Sequence, residues 1–70
     1  MATVKFTSGE EREYAADGAA LSDPLFVLYI YNRERQELES VDTFPVEQVA
    51  WAKFPDGRIV IGKGTVEPAP

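Results

Sequence analysis

Seven consecutive apolar residues, Leu25-Phe26-Val27-Leu28-Tyr29-Ile30-Tyr31, constrain this chain more than any other feature. The run is too short for an ordinary helix and is rich in aromatic and β-branched side chains, so it reads as a strand. Alternation splits it into two faces. Phe26, Leu28 and Ile30 share one, and Leu25, Val27, Tyr29 and Tyr31 share the other. Neither face is polar, whereas a strand packed on one core ordinarily leaves its second face wet. Both faces should therefore be covered, either by the domain curling on itself or by another molecule.

The rest of the chain supplies partners for this strand. Residues 3–7 alternate, with Val4 and Phe6 on one side. After them, Ser8-Gly9 can turn a hairpin that puts Glu11 and Glu13 outward and Arg12 and Tyr14 on the side of Phe6. A helix over residues 10–16, capped by Ser8 and Glu11, is the rival, but it would carry only Tyr14 as a large apolar anchor. The hairpin is favoured. Residues 15–24 hold two turn signals, Asp17-Gly18 and Ser22-Asp23-Pro24, and read as a loop with at most one helical turn over 19–21. Residues 37–44 return as a strand with a bulge near Ser40, because Leu38 and Val41 are three apart. Pro45 suits the start of a short helical turn that puts Val46 and Val49 on one side. Pro55-Asp56-Gly57 then joins two strands over 50–54 and 58–62, with Gly57 supplying the left-handed residue and Phe54 paired with Arg58.

Short strands at regular spacing predict a mainly β fold: a single-domain antiparallel barrel of about five to six strands with one helical turn near 45–49. An SH3-like barrel fits the length best, and an OB-like barrel is second. Residues 1–63 form the expected barrel and 64–70 a flexible C-terminal tail. The strand count, the turn after Phe44-Pro45 and the Pro-Asp-Gly hairpin resemble small uncharacterised bacterial or phage barrel proteins, a resemblance of architecture that carries no function. Ala2-Thr3-Val4-Lys5-Phe6 and Gly9-Glu10-Glu11-Arg12-Glu13 resemble the opening hairpin of the archaeal 7-kDa chromatin proteins, SH3-like barrels that bind the DNA minor groove. That likeness covers about a sixth of the chain. It implies an N-terminal hairpin. It implies nothing about DNA, because the family is strongly basic and ends in a helix, and this chain is acidic without such a helix.

Composition removes several kinds of chemistry. With no Cys there is no thiolate nucleophile, disulfide or sulfur-ligated metal, and with no His the usual general base and metal imidazole are missing. Gly57-Arg58-Ile59-Val60-Ile61-Gly62-Lys63-Gly64 nearly spells a phosphate-binding loop, but its middle is a strand and no helix follows. Glu10, Glu11, Glu13 and Asp17 lack the spacing of a calcium loop and read as a solvated face. No enzyme activity, cofactor or metal is expected. The opening residues carry no secretion signal and no apolar run reaches bilayer length, so a cytoplasmic protein without a membrane partner is expected.

Seven basic residues against twelve acidic ones leave a net charge of −5, which phosphates would repel. Nucleic acid is not an expected partner. The reading favoured is a non-catalytic protein-interaction or assembly module, self-associating as a homodimer or binding a protein partner. Tyr29, Tyr31, Phe54 and Val60 are the candidate contact residues, as the outer face of the long strand and last hairpin. An acidic decoy that occupies another protein's nucleic-acid site is the alternative, and a weak nucleic-acid-binding barrel is the second.

Overall fold

The computed structural model describes residues 1–64; the expected tail, apart from Gly64, lies outside them. The chain forms β1 (Ala2–Phe6), β2 (Glu11–Tyr14), β3 (Gly18–Ser22), β4 (Leu25–Asn32), β5 (Glu37–Pro45), a 3₁₀ turn (Val46–Gln48), β6 (Val49–Lys53) and β7 (Ile59–Ile61). They make two antiparallel sheets, a four-stranded one in the order β2-β1-β6-β7 and a three-stranded one in the order β3-β4-β5.

Each hairpin follows from local chemistry. Gly9 takes a φ of 91°, and the Gly9 N–H donates to the Phe6 carbonyl, which closes the β1–β2 turn. Charged Glu11 and Glu13 thus alternate with Arg12 and Tyr14 on a strand, and the rival helix does not form. In the last hairpin Gly57 also has a φ of 91°, and the Phe54 N–H donates to the Arg58 carbonyl at 2.9 Å. The expected bulge in β5 is present. Tyr29 pairs with Ser40 and Leu28 with Asp42, so Val41 is the extra residue.

Residues 18–22 correct the expectation of a loop or helical turn: they are strand β3 and bring the strand number to seven among the described residues. Gly-Ala-Ala-Leu-Ser has no strand signature of its own, so pairing with β4 imposes the conformation. Asp17 secures the entry. Its N–H donates to the Tyr29 carbonyl at 2.9 Å, and its carboxylate accepts the Tyr31 N–H at 2.8 Å.

The core lies between the two sheets. Val4, Phe6, Ala52 and Phe54 face inward from the first sheet, Phe26 and Leu28 from the second, and Val46 and Val49 close one end. No buried side-chain polar atom among the described residues lacks a hydrogen-bond partner. Beyond the core, β4 and β5 continue as a hairpin arm. There Tyr31 pairs with Leu38, and Asn32 donates from its side-chain amide to Glu39 at 2.8 Å.

Candidate interaction surface

Register builds the outer face of the four-stranded sheet row by row. Lys5 pairs with Glu11 and with Trp51, and Trp51 pairs with Ile61. Thr3 pairs with Glu13 and with Lys53, and Lys53 pairs with Ile59. The rows therefore read Glu11–Lys5–Trp51–Ile61 and Glu13–Thr3–Lys53–Ile59. The first begins with a Lys5–Glu11 ion pair at 3.5 Å. Both pass from carboxylates on β2 to bare isoleucines on β7. Ile59 is 57% and Ile61 70% exposed, and Trp51 is half-buried beside them. With Ala50 and Lys53 these residues line a shallow groove of about 390 Å³. A contiguous apolar patch of this kind is what a contact surface offers.

The backbone beside this patch is also unpaired among the described residues. The Phe54 N–H donates to Arg58, and the Gly62 N–H donates to the Ala50 carbonyl. Even-numbered residues of β7 therefore address β6, and the N–H and C=O groups of Ile59 and Ile61 point away from it. β7 ends its sheet among the described residues, and none of them takes these groups up as a third strand. The flanking cations are engaged elsewhere. Arg58 pairs with Asp56 at 2.6 Å and donates to the Asp17 carbonyl at 2.9 Å, and Lys63 pairs with Asp23 at 3.2 Å. The backbone N–H of Arg58, and then its guanidinium, hold the Asp56 carboxyl below the usual range.

The four residues expected at a contact surface do not come together. Phe54, only 2% exposed, lies in the core, and half-buried Val60 packs against it. The side of β6–β7 expected outside is therefore inside. The reason is the second sheet: small Ala52, in the core and directly opposite Val4, lets it approach on that side. Tyr29 is half-buried and covers Gly18. Tyr31, 46% exposed, stands on the arm beside Leu38. Trp51, Ile59 and Ile61 are the residues that the expectation missed. Lys53 is the sign that could have found them, since a lysine two positions from Trp51 marks the solvent side of the strand.

A second groove of about 390 Å³ opens at the end of the core, over Phe6 and Phe44, whose rings meet edge to face at 5.0 Å. Arg12 stands 5.5 Å above Phe6, but both its Nε and Nη2 donate to Glu10, at 3.0 and 3.1 Å. Those bonds raise its pKa and neutralise the site, which leaves no free charge for a ligand. The carboxylates Glu10, Glu11 and Asp17 are engaged in contacts within the chain, and no group of three metal-ligating side chains occurs among the described residues. Residues 57–64 form a turn and a strand rather than a phosphate-wrapping loop. No helix among the described residues is long and apolar enough to cross a membrane. No protein-family model matches this chain, and neither a curated protein nor a solved structure is detectably similar to it.

Proposed function

We propose that this chain is a non-catalytic protein-interaction module whose contact surface is the outer face of the β6–β7 hairpin. One observation carries this reading: exposed Ile59 and Ile61 form a contiguous patch with half-buried Trp51, beside a strand edge whose main-chain groups are unpaired among the described residues. Extended segments dock on such edges through backbone hydrogen bonds, with side-chain contacts supplying selectivity. The lack of His and Cys supports a role without catalysis, and the net charge of −5 supports a protein partner rather than nucleic acid. We read the two sheets as an SH3-like barrel, a reading supported by the 3₁₀ turn where the chain passes from β5 to β6. A cytoplasmic setting belongs to the same proposal.

Photo-cross-linking in cells tests the reading. A benzophenone amino acid at position 61 should give a discrete adduct, and the same probe at position 13, on the acidic side of the same face, should give none. No adduct from position 61 would sink the proposal. A titration with DNA or RNA at low salt should show no binding tighter than about micromolar, the range reached by non-specific binders.

A further inference from the structure

Resting on that reading, we propose that the occupant of the β7 edge is β7 of a second copy of this chain. The strands run antiparallel about a two-fold axis at Val60, which makes one continuous eight-stranded sheet from two four-stranded ones.

Three properties of β7 select this partner. The first is the hydrogen-bond phase. Ile59 and Ile61 turn their N–H and C=O groups outward, so pairing Ile59 with Ile61 of the second copy exchanges both groups, and symmetry repeats the exchange. The second is the outer face. In this register the row Trp51–Ile61 continues into Ile59–Lys53 of the second copy, so isoleucine meets isoleucine on both sides of the axis. Pairing β7 with the other edge of the same sheet would instead set Ile59 and Ile61 beside Glu11 and Glu13 of β2, and would propagate head to tail without closing.

The third is charge. The hairpin carries Lys53, Arg58 and Lys63 against Asp56 alone, so a two-fold contact could set like charges opposite each other. The register avoids this. Arg58 falls opposite Gly62 of the second copy, and Lys63 opposite Gly57. Basic side chains on an edge strand commonly keep other strands away. Here Arg58 is drawn to Asp56 in the turn and to the Asp17 carbonyl, and Lys63 to Asp23, with Asp17 and Asp23 at the two ends of β3. Among the described residues the edge is left unguarded.

Sedimentation equilibrium of the full chain over about 1 to 500 µM should show a mass rising to twice 7.8 kDa. Ile61→Pro removes an N–H that points away from β6, so the monomer's own ladder keeps its bonds while the dimer loses one per copy. Ile61→Lys sets a charge against Ile59 of the second copy and decides the matter should the proline variant not fold. Both variants, with the circular dichroism of the parent chain, should raise the dissociation constant about tenfold or more. A one-chain mass at every concentration overturns the two-copy pairing, and so does a two-chain mass that both folded variants retain. If position 61 nevertheless cross-links to a different protein in cells, the contact surface stands and only its occupant is wrong. If it cross-links to nothing, both fall.

Discussion

The phenol of Tyr29 lies across Gly18, its partner on the neighbouring strand, so closely that a Cβ on Gly18 would collide with the hydroxyl and with Cε1 at 3.0 Å. A ring laid over a cross-strand glycine covers backbone that the glycine leaves bare, and aromatic side chains stabilise glycine positions in sheets this way. Gly18 is accordingly buried on an edge strand whose last three residues are exposed.

Gly18→Ala should therefore displace Tyr29 and destabilise the chain by about 1–3 kcal/mol, as overpacking does. Tyr29→Phe should cost less than about 0.5 kcal/mol, since the hydroxyl makes no hydrogen bond among those described. Urea denaturation of the two variants provides the comparison. Equal losses would mean that the hydroxyl, and not the ring, holds the pair together.

The two sides of β6–β7 should respond in opposite ways. Phe54→Ala removes a ring from the core and should cost about 3–5 kcal/mol, most of the stability of a 70-residue domain. Ile59→Ser, on the exposed side, should change monomer stability by less than about 0.5 kcal/mol. Thermal unfolding at a protein concentration low enough to exclude association separates the two. A large loss in Ile59→Ser would show that its side chain supports the fold itself.

Asp17 should behave as a clamp for the hairpin arm. Its carboxylate accepts the Tyr31 N–H on the side of β4 where β3 has already ended. Asp17→Ala should cost about 1 kcal/mol and release that amide to solvent. Hydrogen exchange at Tyr31 should accelerate while exchange at Leu28, inside the core, changes much less. Uniform acceleration would instead mean that Asp17 holds the whole sheet.

Asp56 gives the last turn an acid-sensitive component. Its carboxyl is held low in the folded chain, chiefly by the backbone N–H of Arg58 and then by the guanidinium. A depressed folded value means that the contribution is fully present above the unfolded carboxylate pKa of about 3.9 and is lost as pH falls through the folded value. Carbon-detected titration should place Asp56 below free aspartate. Asp56→Asn should flatten the acid limb of the stability profile, and an unchanged limb would show that other carboxylates account for it.

Much of this fold was legible because particular residues leave few options. Seven apolar residues in series could only be a strand, though its outer side is not fully covered, since Leu25 and Tyr31 are exposed, and Pro55-Asp56-Gly57 could only turn a hairpin. Strand β3 was not legible, since Gly18-Ala19-Ala20 has neither alternation nor propensity and owes its shape to β4. The exposed apolar side of β6–β7 was expected to carry Phe54 and Val60 and instead carries Trp51, Ile59 and Ile61. Both sides of β6 are apolar, and which one faces inward depends on where the second sheet lies, a tertiary fact. Ala52 resembles the small residues of an interface between molecules, but it serves the interface between this chain's own two sheets.

Val41 has an evolutionary consequence. Because it is surplus to the β4–β5 ladder, taking it out would leave Leu28 opposite Asp42 and Tyr29 opposite Ser40, with every other pair unchanged. Elsewhere in a strand, losing one residue exchanges inside for outside along everything beyond it. The chain thus holds one unit of spare length at a half-exposed position, where a codon can be lost without inverting the protein. Deletion of Val41 should give a folded chain with a straighter arm, and deletion of Thr43, two residues on, should give none; circular dichroism of the two deletions is the comparison.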